Sequence, residues 1–291
     1  MRVLIFGAGY SGRAIGQCFA QAGVPVSGTT RSTANFAALK QLGIEPFQFD
    51  GSVTEALAAE IRQTTHLILS AAPDATGDPV LNAAGDLLRD QTPALQWVGY
   101  LSTIGVYGDR AGGWVAEDDL RDPTSTRGQQ RVVAEQAWNA FGSAKGIPVA
   151  QLRLGGIYGP GRNTFLNLED GKARRIIKPG QVFNRIHVED IAGATELLAR
   201  GKIGGAFNIV DDEPAPPQDV ITFAADLMGV EPPPAIPFDE ADMSPMARSF
   251  YGDNKRISNA KLRQAGYAFR YPNYRVALQA MMQAGNWRDA G

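Results

Sequence analysis

Cysteine and histidine are nearly absent from this chain: among 291 residues Cys18 is the one cysteine, and His66 and His187 are the two histidines. A single thiol cannot close an intramolecular disulfide, and Cys18 falls on the apolar face of a helical pattern, where it reads as core. With no cluster of Cys, His and carboxylates at ligand spacing, no metal centre is expected. Net charge is almost absent too. The 28 Lys and Arg stand against 30 Asp and Glu, which leaves no footprint for nucleic acid or an anionic membrane. No apolar run is long enough to span a bilayer, and the first strand begins too early to leave room for a signal peptide, so a cytoplasmic protein is expected. What remains is an ordinary globular composition, 44% hydrophobic and 20% charged. It suits one large α/β domain, or a nucleotide domain with a smaller lobe.

The chain is organised around its first strand and the turn that follows, Arg2-Val-Leu-Ile-Phe-Gly-Ala-Gly-Tyr-Ser-Gly12. Val3 to Phe6 reads as a strand buried on both faces, broken at Gly7, Gly9 and Gly12 before a helical pattern. That is a dinucleotide-binding fingerprint: Gly7 for the tight turn, Gly9 for approach of a pyrophosphate, Gly12 for close packing of the helix on the strand. The diphosphate would rest on the free N–H groups of the helix start, so Gly7, Gly9, Tyr10, Ser11 and Gly12 are the expected contacts. A glycine turn of purely structural purpose is the alternative.

Strand and helix patterns then alternate, the signature of a doubly wound parallel sheet with helices on both faces. Strands are expected at 24–30, 46–49, 66–71, 95–103 and 149–154, with helices at 33–42, 53–62, up to 90, and 125–141. From Gly155 the pattern loosens around Gly159-Pro-Gly-Arg162, Pro179-Gly180 and two proline clusters. Residues 1–155 are therefore expected to form the nucleotide domain, taking back about 187–210. Residues 156–291 would form an irregular α/β lobe over the carboxyl ends of the strands, where ligands of such sheets bind.

The second strand ends Val26-Ser-Gly-Thr-Thr-Arg-Ser32. A site that selects NAD normally places Asp or Glu here for the ribose 2′-hydroxyl; Arg31 stands instead. A guanidinium pairs with a 2′-phosphate that a carboxylate would repel, so NADP is favoured over NAD. Arg13 would add charge to that pocket or lie on the surface. Asp50 is placed either to meet the adenine amino group or to cap a turn. Ala71, Ala72 and Pro73 end the fourth strand with small side chains, which would let a cofactor pass close by and would equally suit helix packing.

Leu101-Ser-Thr-Ile-Gly-Val-Tyr-Gly108 resembles the active-site strand of the extended short-chain dehydrogenase/reductase superfamily, the NAD-dependent epimerase/dehydratase group. Leu152-Arg-Leu-Gly-Gly-Ile-Tyr-Gly-Pro-Gly-Arg162, Arg185-Ile-His-Val-Glu-Asp-Ile-Ala192 and Phe207-Asn-Ile-Val210 resemble later segments of that superfamily, in order. The resemblance implies a Rossmann fold, a nicotinamide cofactor, a small-molecule substrate that is often a nucleotide sugar, and a homodimer through the helices near 78–90 and 125–141. Two departures stand out. The glycine motif has Phe6 at its usual first position. The family's catalytic Tyr falls on Arg127, and its Lys on Arg131. Arginine is always charged and cannot exchange a proton near neutral pH.

Thr103, with Ser102 beside it, matches the residue that orients a substrate oxygen, and Arg131 would hold the nicotinamide ribose. Tyr107 and Tyr158 are the candidate phenols, and aromatic packing is the alternative reading of each. His187, Glu189 and Asp190 read as structural residues of a helix start. Two functions follow: an atypical NADP-dependent oxidoreductase or epimerase/dehydratase-like enzyme whose catalytic set includes Thr103, Tyr107 and Arg131, or a non-catalytic NADP(H) sensor or scaffold.

Overall fold

A computed structural model of the chain describes residues 1–289, apart from the side chains of residues 245 and 246; positions 290 and 291 of the expected lobe lie outside the described residues. Seven parallel strands form its central sheet. They are β1 (Val3–Phe6), β2 (Val26–Thr30), β3 (Ile44–Gln48), β4 (His66–Leu69), β5 (Trp97–Thr103), β6 (Val149–Leu154) and β7 (Gly205–Ile209). Their order is β7-β6-β5-β4-β1-β2-β3. β1 therefore lies between β2 and β4, where the winding reverses, and ligands of open α/β sheets bind outside the carboxyl ends at such a point. Val3 pairs with both Val26 and His66, and Phe6 with Leu69. In that register the Phe6 carbonyl accepts the N–H groups of Ser70 and Ala71, at 2.8 and 3.0 Å, so the chain leaving β4 runs beside Gly7.

The connecting helices are α1 (Tyr10–Gln21), α2 (Phe36–Gln41), α3 (Glu55–Gln63), α4 (Pro79–Asp90) and α5 (Thr126–Lys145). Local chemistry sets their ends. Thr54 caps α3 by accepting from the Leu57 N–H, Asp78 caps α4 from Val80 and Leu81 with Pro79 at the first helical position, and Ser125 caps α5 from Gly128. α5 runs past the expected Phe141 because the left-handed residue that stops it is Gly146, φ 70°. The helix expected at 33–42 is shorter. Ser32 accepts from the Ala34 N–H and tightens Thr33–Asn35 into a 3-10 turn before α2 begins.

The residues group into two compact units. The first is Met1–Val106, Ser125–Arg153 and Ile191–Phe207; the second is Tyr107–Thr124, Leu154–Asp190 and the chain from Asn208 onward. In the first, Leu4, Phe6, Leu67, Leu69, Val98 and Tyr100 from the strands pack against Leu57, Ile61, Leu88 and Trp138 from the helices. Each such side chain contributes about 1.5–3 kcal/mol on burial. The second unit contains α6 (Thr164–Glu169), α8 (Pro217–Met228) and a terminal helix, Tyr274–Ala284, while α7 (Val188–Gly201) starts in it. Phe165, Val220, Ala224, Tyr274 and Leu278 form its core. Short parallel pairs, Gly156–Tyr158 with Arg185–His187 and Trp114–Val115 with Arg256–Ile257, complete it. No helix among the described residues is long and apolar enough to cross a membrane.

Candidate functional site

The turn after β1 separates its glycines by what surrounds them. Gly7 has φ 90°, and a Cβ built on it would come within 2.8 Å of the Ala71 nitrogen. At Gly12 a Cβ would meet the Gly7 carbonyl oxygen at 2.6 Å. At Gly9 it would meet nothing within 4 Å. Gly7 and Gly12 are thus required by the fold itself, whereas Gly9 faces open space, the place a ligand backbone would need. Gly9 also stands at the N-cap of α1, where it supplies no capping side chain, and no acidic residue lies in the first turn. The amino end of α1 presents partial positive charge to an anion. The Gly7 N–H donates to Thr29 Oγ1 at 3.0 Å and the Ala8 N–H to the Thr29 carbonyl at 2.7 Å, which locks the turn to β2.

Arg31 is exposed just past β2. Arg13, on the first turn of α1, reaches the same strand end: its Nη2 donates to Asn35 Oδ1 at 3.3 Å, and Asn35 donates to Thr30 Oγ1 at 3.2 Å. No carboxylate occurs between Val26 and Asn35. Asp50 is exposed, and its Oδ1 accepts from both the N–H and the hydroxyl of Ser52, which hold its carboxyl below the ordinary value. That makes it a turn residue, with Oδ2 left over. Ala71, Ala72 and Pro73 carry the chain away from β4, Ala71 directly beside Gly7.

At the end of β5, Thr103 is half-buried and its Oγ1 accepts from the Gly105 N–H at 3.1 Å, so the hydroxyl proton is left to donate elsewhere. Ser102 points the other way, into the core. Its hydroxyl donates to Glu135 Oε1 at 2.6 Å, and Arg153 grips the same fully buried carboxylate from Nε (3.1 Å) and Nη2 (2.9 Å). This bidentate pair joins α5 to β6. Arg131 lies one turn before Glu135. Its Nη1 donates to the Leu101 carbonyl at 2.5 Å and to the Tyr100 hydroxyl at 3.2 Å. Arg127 is exposed in the first turn of α5. The phenol beside Arg131 therefore comes from β5. Burial pushes Tyr100 up to about 12, which suits it to positioning Arg131 rather than to exchanging protons.

In the second unit, Tyr107 is completely buried and its hydroxyl donates to Asn208 Oδ1 at 2.7 Å. The phenol named from the sequence as a candidate catalyst is thus held in the core of a loop, and proton exchange with a substrate would require that contact to break. Tyr158 stacks edge-on to His187, ring centroids 5.4 Å apart, and His187 lies 4.1 Å from the ring of Tyr271. Burial raises Tyr158 well above the usual phenol value and, with Arg270 nearby, lowers His187 to about 3. The imidazole is neutral. Asp190 accepts from the Tyr267 hydroxyl and from the N–H groups of Arg270 and Tyr271, tying down the 267–271 loop. Glu189 pairs with Arg270 at 2.5 Å. Both carboxylates are occupied structurally.

The open glycine turn, the amino end of α1 and the reversal of strand order together define a Rossmann-type dinucleotide-binding protein. The chain belongs to the NAD dependent epimerase/dehydratase family, whose profile matches residues 3–209, and members of that family bind a nicotinamide dinucleotide. Protein YeeZ of Escherichia coli strain K12 is 28% identical over 285 residues, covering 94% of this chain and 97% of that protein. The structure of a functionally unknown conserved protein from Silicibacter pomeroyi DSS is 46% identical, with a TM-score of 0.90 over 98% of each chain. Human epimerase family protein SDR39U1, solved with NADPH, shares the fold at 16% identity and a TM-score of 0.73, over 97% of this chain and 99% of that one.

Tyr100 and the Glu135–Arg153 pair went unnoticed in the sequence. Tyr100 reads there as one more buried strand residue, and only its 31-residue separation from Arg131 in the chain, closed by the fold, gives it a partner.

Proposed function

We propose that the first unit binds NADP(H) and that the protein is an NADP-dependent oxidoreductase or epimerase/dehydratase-like enzyme acting on a small polar substrate. The observation that carries this reading is the end of β2, where Arg31 and Arg13 stand and no carboxylate does. Such an end attracts a 2′-phosphate and offers the bare ribose of NAD no acceptor. The residues fit the group: Gly9 leaves it room, the amides of Tyr10, Ser11 and Gly12 meet its diphosphate, Gly7 and Ala71 to Pro73 form a wall without bulk, and Asp50 Oδ2 is free for an amino group. When bound, the nicotinamide would accept or supply a hydride.

The chain's own part is orientation. Thr103, whose Oγ1 accepts from Gly105, donates a hydrogen bond to a substrate oxygen. Arg131, braced by Tyr100 and the Leu101 carbonyl, holds the ribose. With Tyr107 buried and Arg127 in place of the family's Tyr, the proton comes from water. We further infer that the first unit is the cofactor unit and the second the substrate unit, that the protein works in the cytoplasm, and that α4 and α5 form a homodimer contact. Val133, 56% exposed on α5, supports the last point.

A sensor or scaffold role is favoured by a different observation: Arg127 stands where the family has its Tyr, and the Tyr107 hydroxyl is held in the core by Asn208. NADPH oxidation against a panel of small carbonyl compounds and sugar nucleotides separates the two. The enzyme reading expects turnover that Thr103→Val lowers by about tenfold or more, the scale of one positioned hydrogen bond; NADPH binding with no turnover across the panel supports the sensor.

A further inference from the structure

A pocket of about 270 Å³ opens at the amino ends of β4 and β5, lined by Met1, Thr65, His66, Gln96, Arg200 and Lys202. All six residues belong to the first unit, at the end of the sheet opposite the glycine turn. No acid lines it. Lys202 is exposed, and its Nζ donates to Gln96 Oε1 at 3.1 Å, which leaves two further N–H groups. Arg200, also exposed, pairs with Glu196 one turn earlier at 2.8 Å. Among these side chains, two cations against one carboxylate leave a single net positive charge at the rim.

His66 is 4% exposed and forms one wall. Thr65 Oγ1 accepts from the Arg2 N–H at 2.7 Å, and the Arg2 carbonyl accepts the N–H groups of both Thr65 and His66 at 3.1 Å. That carbonyl is satisfied without the Thr65 hydroxyl, whose 2.8 Å contact with His66 Nδ1 is shorter than its 3.0 Å contact with the Arg2 oxygen. The hydroxyl therefore donates to Nδ1, and the ring proton sits on Nε2. Nε2 is buried and lacks a hydrogen bond of good geometry; the Ala199 carbonyl close to it is taken by the Lys202 N–H at 3.1 Å. Burial, aided by the Lys202 charge, lowers the imidazole to about 4, so the ring is neutral at neutral pH. A buried N–H without a partner costs about 1–3 kcal/mol, which an acceptor in the pocket would recover.

The backbone singles out Lys202 independently. α7 closes with the Lys202 N–H on the Ala199 carbonyl and the Ile203 N–H on the Leu198 carbonyl at 2.9 Å, a closure whose left-handed position glycine normally takes. Lys202 takes it instead, with φ 48°. That conformation costs a side chain about 1–2 kcal/mol, a strain of the kind that collects at functional positions.

We propose that this pocket binds the carboxylate of a small organic acid, one oxygen on the His66 Nε2–H and the other on the Lys202 ammonium, with Arg200 at the rim. A monoanion matches the single net positive charge, whereas a phosphate dianion would bring one charge too many. The carbonyl end of α7 works in the same direction, since it disfavours a second negative charge. A volume a little under the roughly 300–1,000 Å³ of drug-sized pockets suits an acid of a few carbons. The site lies away from the glycine turn and does not depend on the cofactor reading.

The probe is sodium propionate, titrated against sodium chloride at equal ionic strength into the full-length protein while the imidazole signals are followed by NMR. His66 and His187 are the two histidines, and His187→Phe assigns the pair. A saturable shift of the His66 signal is expected with His187 unmoved, and an affinity about tenfold lower in Lys202→Gly, the scale of one charge-assisted hydrogen bond. Glycine suits the left-handed position, so this variant should melt at the wild-type temperature or above, which separates loss of the ligand from loss of the fold. No saturable shift at His66, equal affinity in the wild type and Lys202→Gly, or saturation by inorganic phosphate in place of propionate would overturn the proposal.

Discussion

The Tyr100 hydroxyl lies 3.2 Å from Arg131 Nη1, so a strand phenol and a helix guanidinium meet where the family pattern has both a Tyr and a Lys on one helix. The pair differs from that pattern in direction as well as origin. The Tyr100 phenol is pushed up to about 12 by burial, despite the adjacent positive charge, and a phenol that holds its proton so firmly is a poor acid.

Tyr100→Phe should therefore leave NADPH-dependent turnover within about threefold of wild type and change stability by about 1 kcal/mol or less, since one neutral hydrogen-bond group is removed together with its own desolvation. Arg131→Ala should cost more, about 1–3 kcal/mol, because the buried Leu101 carbonyl loses its donor. Urea unfolding of both variants, read beside their kinetics, checks this. Activity abolished by Tyr100→Phe alone would restore the phenol to the chemistry.

The buried Glu135–Arg153 pair makes a second prediction. Both side chains are almost wholly inaccessible, at 1% and 5% exposure, so Arg153→Ala would take the bidentate guanidinium from a carboxylate held in the core. A loss of about 3–5 kcal/mol is expected. Glu135→Gln, which keeps the shape and an acceptor, should lose less. Equal, small effects in both would mean that the pair is not the tie between α5 and β6 that its geometry implies.

The glycines of the turn should respond differently. Gly9→Ala adds a methyl group to open space at an extended backbone angle, φ −82°, so stability should move by about 1 kcal/mol or less while dinucleotide binding weakens. Gly12→Ala drives a Cβ into the Gly7 carbonyl and should destabilise by about 1–3 kcal/mol before any ligand is added. Thermal unfolding paired with NADPH titration distinguishes crowding of the fold from crowding of the ligand.

Acid sensitivity follows from the two histidines. Burial lowers His66 to about 4 and His187 to about 3, both from 6.5. In that window the unfolded chain takes up a proton that the folded chain refuses. The stability they contribute is complete above pH 6.5 and is lost as pH falls toward the folded values, at about 1.4 kcal/mol per pH unit for each histidine. Asp78, Asp190 and Asp211 are shifted upward and act with the opposite sign, so the difference between two proteins is the clean readout. His187→Phe, which keeps a ring between Tyr158 and Tyr271, should show a shallower decline in urea midpoint below pH 6.5 than the wild type. Parallel declines would contradict the neutral, buried imidazole.

Much of the fold was legible because its signals are local. Val3 to Phe6 is apolar without a break, as a strand buried on both faces must be, and Gly7, Gly9 and Gly12 follow at the spacing a strand-to-helix turn requires. Strand alternation with capped helices carried the sheet through Leu154. Element ends were less legible where a single cap decides them, as at Ser32 and Gly146. The site was legible only in part. Thr103 and Arg131 stand on elements whose type the sequence already shows, but what each touches depends on contacts made across the fold. Tyr107 illustrates the limit, since its partner Asn208 is about a hundred residues away and nothing beside it in the chain marks its hydroxyl as taken. His66 and Lys202 line one pocket from distant parts of the chain, and no periodicity in either stretch indicates that they share it.

The central claim is that the end of β2 selects NADP(H), and the most direct test is a calorimetric titration of the wild type and Arg31→Ala with NADPH and with NADH. The account predicts NADPH bound more tightly than NADH by the wild type, and a loss of about tenfold or more for NADPH in the variant with NADH little changed, the scale of a charge-assisted phosphate contact. Tighter binding of NADH, or NADPH binding indifferent to Arg31, would contradict it.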